Sequence, residues 1–169
     1  GAFNMGLRHL SECKKAGMKP FAVCDVDPER LKIADNDWPG IETYTDLAKM
    51  LKESAVDLII HITPHNLHYK LAAQCLKAGK HVITEKPFVL TTAEADKLIK
   101  LAEQKNLLIS TYHNRHWDGW IMRARREIVD KKILGDVYRI ESKAGKYSMP
   151  PEWWRSSKSI SGGVLYDWG

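Results

Sequence analysis

The sequence predicts an α/β fold built on a doubly wound parallel sheet. Strand and helix patterns alternate along most of the chain, which is the order that produces parallel strands covered by helices. The strongest strand, Val56–Ile62, is an almost unbroken apolar and β-branched run, as expected of a strand buried on both faces. A second apolar strand, His81–Thr84, leads directly into Glu85-Lys86-Pro87, so a lysine follows a buried strand at the edge where open α/β sheets bind ligands.

The composition is that of a soluble globular protein, with 44% hydrophobic and 28% charged residues. The net charge of +5 is scattered, and the one dense basic stretch, Arg123–Arg126, lies on a helical pattern, so nucleic-acid binding is not expected. No apolar run approaches the roughly 18 residues of a membrane helix, and no signal peptide opens the chain. Cys13, Cys24 and Cys75 are isolated from each other, which indicates reduced thiols, a cytoplasmic location and no metal site.

Each element has a local signal. Helices are indicated by apolar spacing and by caps: Asp27 precedes Pro28, and Thr91-Thr92-Ala93-Glu94 has the capping-box pattern. Predicted helices are Met5–Ala16, one beginning at Pro28, Asp46–Glu53, Asn66–Ala78 and one from Thr91 to about Lys105. Predicted strands are Phe21–Cys24, Ile41–Tyr44, Val56–Ile62, His81–Thr84 and Leu107–Tyr112.

The pattern of predicted helices and strands changes near His113. We place a domain boundary there, which divides the chain into residues 1–112 and 113–169. A helix is predicted over about Trp117–Lys131, and Asp136–Ala144 alternates like a half-exposed antiparallel strand. Pro150-Pro151 and Gly162-Gly163 indicate irregular structure around Trp153-Trp154-Arg155.

The first six residues resemble the G-x-G-x-x-G dinucleotide fingerprint, with Phe3 in place of the middle glycine. A helix follows, and Asp25 ends the next strand, where an acidic side chain hydrogen-bonds a ribose hydroxyl and repels a 2′-phosphate. This pattern favours NAD over NADP. Asp25 can also be read as a turn residue, and Asp27 is a nearby alternative for the same contact.

A second motif, Thr63–His68, follows the strongest strand and opens a helix, a place where backbone N–H groups favour anionic ligands. Thr63 and Asn66 are therefore candidate cofactor contacts. Three histidines are close together here without metal-site context. His61 is interpreted as a structural strand residue, and His68 as a packing or capping residue rather than a base.

Taken together, these motifs resemble the Gfo/Idh/MocA oxidoreductase family. The segments that carry the resemblance are Gly1–Gly6, Asp25–Arg30, Thr63–His68, Ala78–Pro87 and Asp167–Gly169. The resemblance implies an N-terminal Rossmann domain, here lacking its first strand, followed by the beginning of an α+β C-terminal domain. It also implies a homo-oligomer formed through the sheet of that domain, and a cis bond before Pro87.

The resemblance assigns roles to residues. Lys86 and Asp167 match catalytic positions, Lys86 relaying the substrate hydroxyl proton, and a partner histidine would fall two positions beyond Gly169. The implied cofactor-binding residues are Gly1, Phe3, Asn4, Met5, Gly6, Asp25, Thr63, Pro64, Asn66, His68, Glu85, Lys86 and Pro87. The residues expected near the substrate are Asn114, Arg115, Trp154 and Arg155.

The predicted function is hydride transfer between NAD and a hydroxyl group of a sugar, a polyol or a related small substrate. Two alternatives stay open: a non-catalytic dinucleotide-binding sensor, motivated by Phe3, and an NAD-dependent glycoside hydrolase of the same family. Both ends of the chain look cut, and we expect the isolated 169-residue piece to be poorly folded and inactive.

Overall fold

The computed structural model describes residues 4–143 and 152–168. Its five strands are β1 (Ala22–Cys24), β2 (Glu42–Tyr44), β3 (Leu58–His61), β4 (His81–Thr84) and β5 (Ile109–Thr111). Its α-helices are α1 (Met5–Lys15), α2 (Pro28–Asp37), α3 (Leu47–Glu53), α4 (His68–Lys77), α5 (Thr92–Gln104), α6 (Gly119–Ala124), α7 (Lys158–Ser161) and α8 (Val164–Trp168).

All of the described strand pairs are parallel. β1 pairs with β2, with Val23 opposite Thr43, and a separate sheet has the order β3-β4-β5. In the second sheet His61 lies opposite Thr84, which in turn lies opposite Thr111, so the carboxyl ends of the three strands are level. The predicted α/β class with a parallel sheet is confirmed, and each strand falls inside its predicted segment.

Helix starts follow the predicted caps. The Asp27 side chain accepts a hydrogen bond from the N–H of Glu29, and the Asp46 side chain accepts one from Lys49. Thr91 Oγ1 accepts the N–H of Glu94 at 3.2 Å, which begins α5. Because these bonds satisfy backbone donors that have no partner inside the helix, the helices begin where the sequence predicts.

The main core lies between the β3-β4-β5 sheet and its helices. Ile59 and Val82, neighbours in register on the two central strands, are both buried. Helix α4 contributes fully buried Cys75 and Leu76, and α5 contributes Leu98. Burying side chains of this size contributes about 1.5–3 kcal/mol each, so apolar burial holds α4 and α5 against the sheet.

A cavity of about 920 Å³ lies between β1 and β3. Its lining includes both strands, from Phe21 to Asp25 and from Leu58 to Thr63, and no strand ladder joins β1 to β3 in the part of the chain that is described. Among the described residues, each of these two strands therefore has one edge, on the side of the cavity, whose backbone groups are not paired with another strand.

The described residues form two compact units. One contains the residues up to Thr111 together with those from Trp153 onward, and the other contains the residues from Tyr112 to Glu152. The segment after Trp153, which includes α7 and α8, thus groups with the parallel-sheet unit. The division of the chain into domains at residue 113 stays a prediction.

Of the two elements predicted in the second unit, the helix is present and the strand is wrong. Extended Asp118 precedes the helix, which runs from Gly119 to Asp130 as α6 and a π-helical continuation, Arg125–Asp130. The strand expected over Asp136–Ala144 is absent from 136–143, and residue 144 lies outside the described residues. Tyr138 is 98% exposed, and no strand in the described ranges pairs with this segment despite its alternating sequence.

No helix in the described ranges is both long and apolar enough to cross a membrane.

Candidate active site

Lys86 lies in the loop that follows β4, and its ammonium group is paired with Asp167. Lys86 Nζ is 2.7 Å from Asp167 Oδ1, and it also donates to the backbone oxygen of Asp167. The Asp167 side chain is buried and the Lys86 side chain is about one third exposed. The two residues predicted to be catalytic are thus brought together although 81 positions separate them. The peptide bond between Lys86 and Pro87 is cis.

Asp167 also accepts a hydrogen bond from Arg155, on the same oxygen that Lys86 uses. Burial alone would raise the pKa of the Asp167 carboxyl, but the hydrogen bonds and charges of Lys86 and Arg155 outweigh it and lower that pKa. Asp167 is therefore a carboxylate at neutral pH.

Two aromatic rings hold the Arg155 guanidinium. Its central carbon is 4.6 Å from the ring centre of Trp154 and 5.2 Å from that of Trp153. Arginine stacks well on aromatic faces because its charge is planar and weakly hydrated. The sequence predicted Trp154 and Arg155 beside the substrate. The structure pairs Arg155 with Asp167, and a substrate contact stays a prediction.

The three neighbouring histidines form a buried cluster. The ring of His68 is 5.2 Å from that of His61 and 5.5 Å from that of His65, both edge to face. His68 Nδ1 is 2.7 Å from the carbonyl oxygen of Pro87, and Nε2 is 3.1 Å from that of Thr63. His68 thus links α4 to both loops, and its predicted cofactor contact stays a prediction. No group of potential ligands in the described ranges is arranged to hold a metal ion.

The carboxylate of Glu85 joins the lysine loop to α1. Glu85 Oε1 is 2.8 Å from Nε2 of His9, and both side chains are largely buried. Burial raises the pKa of the Glu85 carboxyl, but the hydrogen bond and charge of His9, aided by Lys86, lower it more, so the net shift is downward. A charge-assisted contact of this kind fixes the lysine loop relative to the helix that follows the glycine motif.

Four predicted cofactor residues, Gly6, Asp25, Thr63 and Pro64, lie around the gap that separates β1 from β3 along their length. Thr63 Oγ1 is buried there without a hydrogen-bond partner among the described residues, which fits a ligand that is bound at this place. Asp25 Oδ1 accepts the N–H of Asp27, whose own carboxylate caps α2. Which of the two carboxylates contacts the ribose stays a prediction.

The remaining predicted residues are more scattered. Met5 begins α1 after Asn4, which has a positive φ of 46°, and Asn66 is exposed in the short 3₁₀ turn before α4. Asn114 and Arg115 belong to the second unit, where Arg115 pairs with Asp118 at 2.9 Å. Gly1 and Phe3 lie outside the described residues. The direct cofactor and substrate contacts of these residues stay predictions.

Sequence reasoning did not identify three neighbours of the site: His9, His65 and the Arg155–Asp167 pair. His65 Nε2 is 3.8 Å from Asp167 Oδ1. A histidine in the first helix and a glutamate beside the lysine were both visible in the sequence. Nothing local indicated that they would meet, because 76 positions separate them.

Parallel strands alternating with helices, with a lysine–carboxylate pair in the loop after β4, are typical of α/β proteins that bind ligands at the carboxyl ends of their strands. The chain belongs to the Gfo/Idh/MocA family, described as an oxidoreductase family with an NAD-binding Rossmann fold, whose profile matches residues 1–113. The predicted family is thus confirmed, and with it the NAD-binding class of fold.

Individual proteins agree with this assignment. The chain is 30% identical over 150 residues to scyllo-inositol 2-dehydrogenase (NADP(+)) IolW of Bacillus subtilis, covering 88% of this chain and 42% of that protein. An NAD-binding protein of Listeria innocua has a similar structure, with a TM-score of 0.90 and 29% identity over 100% of this chain and 50% of that one. GenD2 of gentamicin A biosynthesis, solved in complex with NAD, has a TM-score of 0.84 and 27% identity over 99% of this chain and 48% of that one. The chain therefore spans about half the length of these proteins or less.

Proposed function

We propose that the protein containing this chain is an NAD-dependent dehydrogenase that oxidises a CH–OH group of a sugar or polyol. The observation that carries the proposal is the ion pair between Lys86 Nζ and Asp167 Oδ1, placed at the carboxyl end of β4. The family assignment and the similarity to an inositol dehydrogenase support the same chemistry.

The cofactor would be held at the ends of β1 and β3. Asp25 would accept hydrogen bonds from a ribose hydroxyl, Thr63 Oγ1 would gain the partner that it lacks, and α1 would present its first N–H groups. When bound, NAD would supply the hydride acceptor for the oxidation. The carboxylate of Asp25 would repel a 2′-phosphate, which favours NAD over NADP.

The chain's own residues would handle the hydroxyl proton. Oxidation of a carbinol to a carbonyl requires a group that takes this proton, and Lys86 is part-exposed in the loop beside the cavity strands. Asp167 orients the Lys86 Nζ through two contacts, one to its carboxylate and one to its backbone oxygen. Arg155 shares the carboxylate, so the single negative charge is balanced by two cations.

The test is NADH formation by the natural full-length protein, supplied with NAD⁺ and a panel of inositols and aldoses. Lys86→Ala should lower kcat by about 10²- to 10⁴-fold, the range for loss of a proton-transfer group. Lys77→Ala, which changes an exposed lysine near the end of α4, is the matched control and should leave turnover unchanged. Full turnover by Lys86→Ala, or no turnover of any alcohol by a folded, NADH-binding wild type, would contradict the proposal.

We further propose that the protein is cytoplasmic and self-associates. The described cysteines are all free, which fits a reducing compartment. Large apolar side chains of the second unit, including Trp120 and Ile140, are exposed, which fits burial against further protein. Size-exclusion chromatography with light scattering on the natural full-length protein tests self-association, and a monomeric mass would contradict it.

A further inference from the structure

His65 is a buried histidine that the proposed mechanism leaves without a task. Its ring is 2% exposed, and Nδ1 is 2.8 Å from the carbonyl oxygen of Ser161. A carbonyl oxygen only accepts, so Nδ1 carries the hydrogen and donates it. In the neutral ring Nε2 therefore has a lone pair and no hydrogen.

His65 Nε2 is buried and has no hydrogen-bond partner among the described residues. The nearest charged atom across the gap is Asp167 Oδ1, at 3.8 Å. Nε2 and a carboxylate oxygen are both acceptors, so nothing joins them unless a proton is placed between them. A buried polar atom without a partner is costly and calls for an explanation.

Asp167 Oδ1 connects this lone pair to Lys86. The same oxygen accepts a hydrogen bond from Lys86 Nζ at 2.7 Å. Three atoms thus follow one another from the part-exposed end of the site to its buried end: Lys86 Nζ, Asp167 Oδ1 and His65 Nε2.

We propose that His65 Nε2 is the internal proton acceptor for Lys86, reached through the Asp167 carboxylate. The inference rests on the proposed function and deepens it, because it says how an ammonium group becomes able to receive a substrate proton. His65 acts through Asp167 and Lys86 and does not contact the substrate.

The transfer is balanced without any redox change. A Lys86 N–H bond breaks as its proton moves to Asp167 Oδ1, and Asp167 passes a proton on to Nε2, where a new N–H bond forms. Lys86 becomes a neutral amine that can take the hydroxyl proton, Asp167 is again a carboxylate, and His65 becomes an imidazolium beside it. The total charge of the three groups is unchanged.

The surroundings favour the neutral form of the His65 ring, in which Nε2 has its lone pair. The charged and titratable groups that face the His65 ring are Asp167, Arg155 and His68. Burial lowers the pKa of His65, and His68 and Arg155 act in the same direction, whereas the Ser161 hydrogen bond and Asp167 oppose them. The edge of the ring against Trp154, at 4.8 Å between centres, holds its orientation.

Two substitutions separate proton acceptance from packing. His65→Asn places an amide N–H near the position of Nδ1, so it retains a donor for the Ser161 oxygen and removes the base. The control, His81→Asn, changes a histidine at the opposite end of β4 from the lysine loop, where the ring Nδ1 accepts from the N–H of Leu108. Thermal melting verifies that both variants fold.

In the full-length protein, His65→Asn should lower kcat for alcohol oxidation about tenfold to a hundredfold, with little change in KM. The wild type should lose kcat at low pH as His65 becomes protonated, and the variant should not show this loss. His81→Asn should match the wild type. A folded His65→Asn variant with the wild-type kcat and pH profile would overturn the inference.

A second measurement does not depend on turnover. Nitrogen-15 spectra of the wild-type imidazoles should show His65 with hydrogen on Nδ1 and none on Nε2. Lys86→Met should move protonation of His65 to higher pH, because Asp167 then has one cation fewer. Hydrogen on Nε2 of the neutral ring, or no change in Lys86→Met, would overturn the inference. A wild type that oxidises no alcohol would refute the proposed function, and these spectra would still decide the role of His65.

Discussion

Acid should destabilise the fold through His61, the last residue of β3. The ring is 6% exposed, and neither of its nitrogens has a hydrogen-bond partner among the described residues. Burial, and secondarily the nearby His68, lower the pKa of His61 from 6.5 to about 3. An imidazolium at this place would be buried without an acceptor, so the native state holds the neutral ring.

The direction of the pH effect follows from which state binds the proton. As the pH falls below about 6.5, the unfolded chain protonates His61 and the native state does not, so the unfolded state is favoured. The loss of stability continues until the native ring titrates at about 3. With about 1.4 kcal/mol for each pH unit between the two values, the full loss is about 5 kcal/mol, and roughly 3 kcal/mol of it falls between pH 7 and pH 4.

The assay is urea unfolding of the natural full-length protein at a series of pH values, comparing the wild type with His61→Leu. The variant cannot titrate at this position, so its free energy of unfolding should fall about 3 kcal/mol less than that of the wild type between pH 7 and pH 4. Other titrating groups are common to both proteins and cancel in the difference. His61→Gln, polar but not titratable, should have the same pH slope as His61→Leu. Parallel curves for wild type and His61→Leu would refute the reasoning.

Three further substitutions test separate contacts. Thr91→Ala removes the side-chain cap of α5 and should cost about 1 kcal/mol of unfolding free energy, whereas Thr91→Ser should cost little; equal losses would contradict the capping role. Glu85→Gln weakens the contact with His9 and should cost about 1–3 kcal/mol in urea unfolding, and an unchanged midpoint would show that the link does not stabilise the fold. Asp25→Ser should improve the affinity for NADPH relative to NADH by roughly tenfold, or about 1.4 kcal/mol, in fluorescence titrations; an unchanged ratio would exclude Asp25 as the ribose contact.

The parallel-sheet unit was predictable because its signals are local. The continuous apolar pattern of β3, the cap at Thr91 and the Asp27-Pro28 start of α2 each require only neighbouring residues. The catalytic positions of Lys86 and Asp167 were predicted from a family resemblance and not from any pattern within the segment, and their direct pairing was not predicted.

What the sequence could not provide depends on contacts between distant residues. His9 meets Glu85, and Arg155 shares an oxygen with Lys86, only after the helices and strands have packed. The strand predicted over Asp136–Ala144 failed for a related reason. Alternation describes one face of a strand, but a strand forms only where a neighbour supplies its hydrogen bonds, and none does so at 136–143 in the described ranges.

The central claim is that the ends of β1 and β3 hold a dinucleotide beside Lys86 and Asp167. The most direct measurement is a fluorescence titration of the natural full-length protein with NADH and with NADPH. The account predicts NADH binding in the micromolar range and weaker binding of NADPH. A folded protein that binds neither nucleotide would contradict the claim.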